Sequence, residues 1–200
     1  MIFNLRATLE NLHCITPTDP SGEDEPYLWA FLIQIDGSTV RQRVGDQGHL
    51  SANITIHSGS GRPGNLGVDS FKSDGNIFIH PDIGGFNTSL TPIKLTLSQG
   101  PLSVRVFLPG TAAIFCMALD EDGTKRDAME GAFNDVKNEV RDRFNDFLNG
   151  LDLQSIATAA VASPTPLAKA KALFDQQLNT FIEGFSRTSS TLLFRVLNFQ

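Results

Sequence analysis

Tyrosine and tryptophan are almost missing from this chain: one of each stands against fifteen phenylalanines in 200 residues. Phenylalanine carries no polar handle, and most of these fall on periodic apolar positions, so the aromatic content is core filling. Cysteine is scarce too. Cys14 and Cys116 are the only two, which rules out a disulfide framework. Both adjoin β-patterned runs and are expected to be buried free thiols, with a single bridge as the alternative. There is no run of five or more Lys and Arg, so a polybasic membrane patch is absent. The longest apolar stretches are about ten residues, half of a membrane span. His13, His49, His57 and His80 show neither metal-ligand spacing nor i,i+4 pairing. The opening Met1-Ile2-Phe3-Asn4-Leu5-Arg6 lacks the charged and apolar regions of a secretory signal. The expectation is a cytoplasmic protein, or one exported by a route the N-terminus does not show.

What is present is ordinary for a folded domain: 40% hydrophobic and 19% charged residues. A chain of this size buries roughly 70% of its extended surface, so no metal or disulfide is needed to make a core. The net charge of −6 argues against a nucleic-acid backbone binder, which needs a basic stripe.

Periodicity divides the chain near residue 119. Residues 2–12 alternate as a strand, with Phe3, Leu5, Ala7 and Leu9 on one face. Tyr27 to Ile35 is apolar on both faces, the pattern of a central strand. Asp36-Gly37 signals a turn, with Ser38 to Val44 as a hairpin partner. Further β candidates are Ala52–His57, Asn76–His80, Ile93–Leu97, Leu102–Leu108 and Ala112–Leu119, while 57–75 reads as a long surface loop. Short strands punctuated by Gly, Pro and Asn predict a mainly β fold over 1–119, an antiparallel β-sandwich or a Greek-key barrel. After Leu119 the period becomes helical. Met129, Phe133, Val136, Val140, Phe144, Phe147 and Leu148 mark one helix face, with Asp127 as N-cap and Asn149-Gly150 as the stop. A short helix over Leu151–Val161 follows, then one opened by Pro166 and carrying Leu167, Leu173, Phe174, Leu178, Phe181, Ile182 and Phe185. Residues 120–200 are thus expected as a helical layer packed on the sandwich in one structural unit. The apolar tail 192–199 is expected to dock on the body or on another chain.

Two acidic stretches carry the functional reading. Asp19, Glu23, Asp24 and Glu25 precede Tyr27, and Asp120, Glu121, Asp122 and Asp127 follow the apolar run Ala112–Leu119. Calcium takes six to eight oxygen ligands, mostly carboxylates and carbonyls, from such loops. The same residues also suit plain structural roles: Asp122-Gly123 a turn, Asp127 a helix cap, and Asp19 to Glu25 a solvated loop.

Gly22-Glu23-Asp24-Glu25-Pro26-Tyr27 running into an apolar strand resembles the first calcium loop of C2 domains. Asp120-Glu121-Asp122 with Asp127 downstream is similar to that family's later Asp-x-Asp loop. The resemblance implies an eight-stranded antiparallel sandwich that binds anionic lipid through calcium, with Asp19, Asp24, Asp120, Asp122 and Asp127 as ligands. Two departures stand out. Glu25 separates Asp24 from the proline, and a helix follows Asp127 where the family continues with strands.

Catalytic motifs are incomplete. His57-Ser58-Gly59-Ser60-Gly61 is not Gly-x-Ser-x-Gly and does not join a strand to a helix. Nor does it hold the Gly-Lys-Ser/Thr of a phosphate loop. The resulting expectation is a non-enzymatic module for a protein partner or an anionic lipid surface, with calcium as cofactor and no transmembrane segment. The alternative is a metal-free assembly subunit, a homo-oligomer held through its apolar helices and tail.

Overall fold

The stretch that reads as buried on both faces forms the middle of a five-stranded antiparallel sheet in the computed structural model of the chain. The structure describes residues 2–14, 26–59, 64–67, 74–99, 101–120, 126–187 and 192–197. In chain order the first strands are β1 (Phe3–Thr8), β2 (Asn11–His13), β3 (Pro26–Ile35), β4 (Val40–Arg43), β5 (Asp46–Ala52) and β6 (Thr55–Ser58). Next come β7 (Gly64–Asn65), β8 (Asn76–Phe78), the single turn α1 (Pro81–Gly84), β9 (Gly85–Leu90), β10 (Ile93–Gln99), β11 (Leu102–Leu108) and β12 (Thr111–Asp120). Helices α2 (Arg126–Asn149), α3 (Leu153–Val161) and α4 (Pro166–Arg187) precede the last strand, β13 (Leu192–Leu197).

The sheet order is β13-β12-β3-β6, with β7 also pairing β3. Around it lie four antiparallel two-stranded ribbons: β1-β9, β2-β8, β4-β5 and β10-β11. Side chains alternate along β3, so its two faces enter two different cores. Tyr27, Trp29, Phe31, Ile33 and Ile35 face a large core shared with β10, β11 and all three long helices. There Phe31 stacks on Phe115 of β12 at 4.4 Å between ring centroids. Leu28, Ala30 and Leu32 face a smaller core closed by Ile79, Phe86 and Leu90. Burial on both sides explains why Gln34 is the one residue of β3 with no apolar body.

Several local expectations need correction. Residues 2–12 do not form one strand; the chain breaks at Leu9-Glu10, where Leu9 N–H bonds to Gly84 O at 2.9 Å. The segment after Asp36 does not return along β3. Thr39 N–H and Val40 N–H both bond to Asp36 O, which turns the chain away, and β4 pairs with β5 instead. The region 57–75 is not a single loop among the described residues, because Gly64–Asn65 pairs with Leu28 and Tyr27. Asp127 is not the N-cap: α2 begins at Arg126, and Asp127 lies exposed in its first turn. Leu167 is 54% exposed and stays off the buried face of α4. Of the two places expected for the tail, the body and another chain, the structure has the first: it runs as β13 along β12.

Candidate functional site

Antiparallel pairing of β3 with β12 runs from Thr111 opposite Ile35 to Asp120 opposite Pro26. The chain therefore enters β3 from residues 19–25 and leaves β12 toward residues 121–127 at one and the same end of the sheet. Asp19, Asp24 and Asp122 lie outside the described residues, as do Glu23, Glu25 and Glu121. Asp120 closes β12. Among the described residues, no three His, Cys, Asp or Glu side chains are grouped to hold a metal. The only tryptophan, Trp29, lies near this end of β3, with its buried indole N–H making no hydrogen bond.

At the opposite end of β3 a polar hub replaces apolar packing. Asp36 has no exposed surface. Its Oδ1 accepts from Ser38 N–H at 3.0 Å and from Ser38 Oγ at 2.6 Å. Its Oδ2 accepts from Thr91 N–H at 2.8 Å and Thr91 Oγ1 at 3.0 Å. Burial works to raise the carboxyl pKa, but the hydrogen bonds from Ser38, Thr91 and Gln34 together hold it below its ordinary value. Two residues back, Gln34 Nε2 donates to Ser89 O at 3.1 Å. Gln34 Oε1 accepts from Thr88 Oγ1 and meets His57 Nε2, both at 2.7 Å. An amide oxygen can only accept, so His57 carries its proton on Nε2 and, when neutral, leaves a lone pair on Nδ1. Burial lowers the His57 pKa, and the Asp36 charge opposes that shift. Sequence reading missed this hub; the available signal was Gln34 alone in an apolar run.

His57 opens onto a cleft of about 400 Å³ that Arg6, Ser58, Asp82 and Asn87 also line. Gly59, next to Ser58, approaches the Asp82 backbone so closely that a Cβ there would stand 2.1 Å from Asp82 O. The cleft thus gathers a serine, a histidine and an aspartate, yet their bonds lead apart. Ser58 Oγ accepts from Lys137 Nζ at 2.8 Å, His57 bonds to Gln34, and Asp82 lies 3.4 Å from His80. A serine triad needs the histidine on the nucleophile and the acid on the histidine; that relay is not formed here. Lys137, half-buried over the Phe133 ring at 5.2 Å, has its pKa lowered by burial.

The remaining histidines are dispersed. His13 meets Asn76 and His49 meets Asp46, so no two share a site. Both cysteines are free thiols, and burial pushes the Cys116 thiol up to about 12, which keeps it protonated and unreactive. No helix among the described residues is long and apolar enough to cross a membrane. Compared with protein-family models, curated proteins and solved structures, the chain shows no match.

Proposed function

We propose that the chain is a non-enzymatic binding module, a C2-like β-sandwich with a helical layer, that takes calcium at the end of its central sheet. Asp19, Asp24, Asp120 and Asp122 are the ligands, supplemented by Asp127 from the first turn of α2. The loaded end attaches to anionic lipid or to a protein partner. The observation that carries the reading is the register of Asp120 against Pro26: two acidic stretches far apart in sequence join the sheet at neighbouring strand ends. A calcium shell draws on carboxylates from more than one loop, and this register meets that requirement. The assembly-subunit reading has less behind it, because the helix faces are spent on the large core and the tail on β12.

Thermal unfolding of EDTA-stripped protein, with and without millimolar calcium and with magnesium as control, tests the proposal. A ligand at ~100 times its dissociation constant stabilises by ~2.7 kcal/mol, which in a chain of this size raises the midpoint by several degrees. Asp24→Asn with Asp122→Asn is expected to abolish that rise while leaving the calcium-free midpoint in place. A midpoint indifferent to calcium, or a double variant that still responds, overturns the assignment.

A further inference from the structure

A second groove lies at the other end of β3, away from the acidic strand ends, beside the turn at Gly37. It measures about 610 Å³, and Val40, Pro92, Arg41, Lys94, Phe107 and Ile2 line it. Arg41 of β4, Lys94 of β10 and Phe107 of β11 are its exposed strand residues. Lys94 of β10 is the direct cross-strand partner of Phe107 of β11. Arg41 projects from β4, which Gln42 ties to β10: its amide donates to Thr96 O and accepts from Thr96 N–H, both at 2.9 Å. The side chain thus supplies the two bonds a neighbouring strand would make, and holds β4 alongside β10 as a continuation of the ribbon.

The chemistry of this groove is one-sided. No carboxylate lines it among the described residues, although the whole chain is acidic at −6. Neither Arg41 nor Lys94 makes an ion pair or hydrogen bond with any described residue. Between and beside these cations, Phe107 is 55% and Ile2 66% exposed, over a floor of buried Val40 and half-buried Pro92. A polyanion would satisfy the two cations and leave Ile2 and Phe107 wet; a neutral hydrophobe would do the reverse. Only a ligand with an anionic head and an apolar body answers both, and the volume lies in the range of small-molecule sites.

We infer that this groove binds a soluble amphiphilic monoanion of the fatty-carboxylate class, its carboxylate between Arg41 and Lys94 and its chain along Ile2, Val40, Pro92 and Phe107. Arginine suits the role because its planar fork accepts a carboxylate in two parallel bonds. The site is independent of the calcium reading. β3 spans ten residues, about 33 Å at 3.3 Å per residue, and separates the two ends, so binding proceeds in EDTA.

The test is titration calorimetry with monomeric decanoate in EDTA, against decanol and butyrate. Decanoate is expected to bind saturably, with decanol and butyrate at least about tenfold weaker. Arg41→Gln with Lys94→Gln, and separately Phe107→Ser, should each weaken decanoate by about tenfold or more without moving the unfolding midpoint, since all three side chains are exposed. Decanol binding as well as decanoate, or variants equal to the parent, refutes the site. Vesicles containing anionic lipid provide the second arm. Binding to vesicles that needs Arg41 and Lys94, with no affinity for decanoate, overturns the inference in favour of a membrane surface. Calcium shifts measured on the same variants should be unchanged, so failure here and failure of the calcium proposal are distinguishable.

Discussion

Gln34 is the one residue of β3 with no apolar body, and the fold has arranged partners for both ends of its amide. Satisfying a buried amide matters because an unpaired one costs about 1–3 kcal/mol. His57 depends on this arrangement. Its folded-state pKa lies below the ordinary 6.5 because burial disfavours the charged ring. The unfolded chain therefore binds the proton more tightly than the folded one, and stability is fully present above about pH 6.5. It is lost as the pH falls from there through the lowered folded value. Replacing His57 with Gln removes the titration while keeping a donor for Gln34. Denaturant unfolding between pH 7 and 5 should therefore show a steeper loss of stability in the parent than in His57→Gln. Parallel pH profiles would mean that His57 protonates as readily folded as unfolded. None of this could be read from the sequence, where His57 looks like a strand-end histidine and Asp36 like a turn residue. The turn is real, but Asp36 Oδ2 is held by Thr91, 55 residues away.

At the scale of elements, helix α2 does more than lay an apolar face on the core. Asn145 Oδ1 accepts from Ile54 N–H at 2.9 Å and Asn149 Oδ1 from Ala52 N–H at 2.8 Å. One turn apart on the helix, the two asparagines cap the backbone where β5 ends and β6 begins. Asn145→Ala and Asn149→Ala are each expected to cost about 1–2 kcal/mol, by leaving an N–H without an acceptor. Asn→Asp at either position keeps the oxygen and should cost less. Chemical denaturation midpoints check both; equal losses for Ala and Asp would show that packing, not the acceptor, is at stake. The helix itself was legible, because seven apolar residues at steps of three and four specify one face whatever it packs against. So were β3, from its unbroken apolar run, and the start of α4, from Pro166. Strand β9 was not. Gly85 to Leu90 offers only Phe86 and Leu90 as buried apolar residues, too sparse a pattern to separate from loop. The partner of β4 was also out of reach, since nothing local to Ser38–Val44 says that Asp36 O will claim two N–H groups and redirect the chain.

For the whole molecule, composition splits β from α near residue 119, but the packing does not follow that split. The large core takes Trp29, Phe31 and Ile33 from β3, Leu95 and Leu97 from β10, and Phe133, Val140, Phe144, Phe174 and Leu178 from the helices. β13 then carries the chain back from α4 to the edge of β12. Neither part closes its own apolar surface, so the described body should unfold as one cooperative unit. Trp29 and Phe144 allow this to be tested. The Trp29 ring lies 5.8 Å from that of Phe133 on α2, so its fluorescence reports the contact between sheet and helix. Far-UV circular dichroism reports mainly the helices. The two probes should give superimposable thermal transitions. Phe144 is fully buried and packs edge-on against Phe181 of α4 at 4.9 Å, so Phe144→Ala removes a ring from the joint between two helices. It should cost about 3–5 kcal/mol and lower both transitions together. If the dichroism midpoint fell while the tryptophan transition stayed in place, the helices would be a separately folding layer, and the β-rich part would have to hold its core without them.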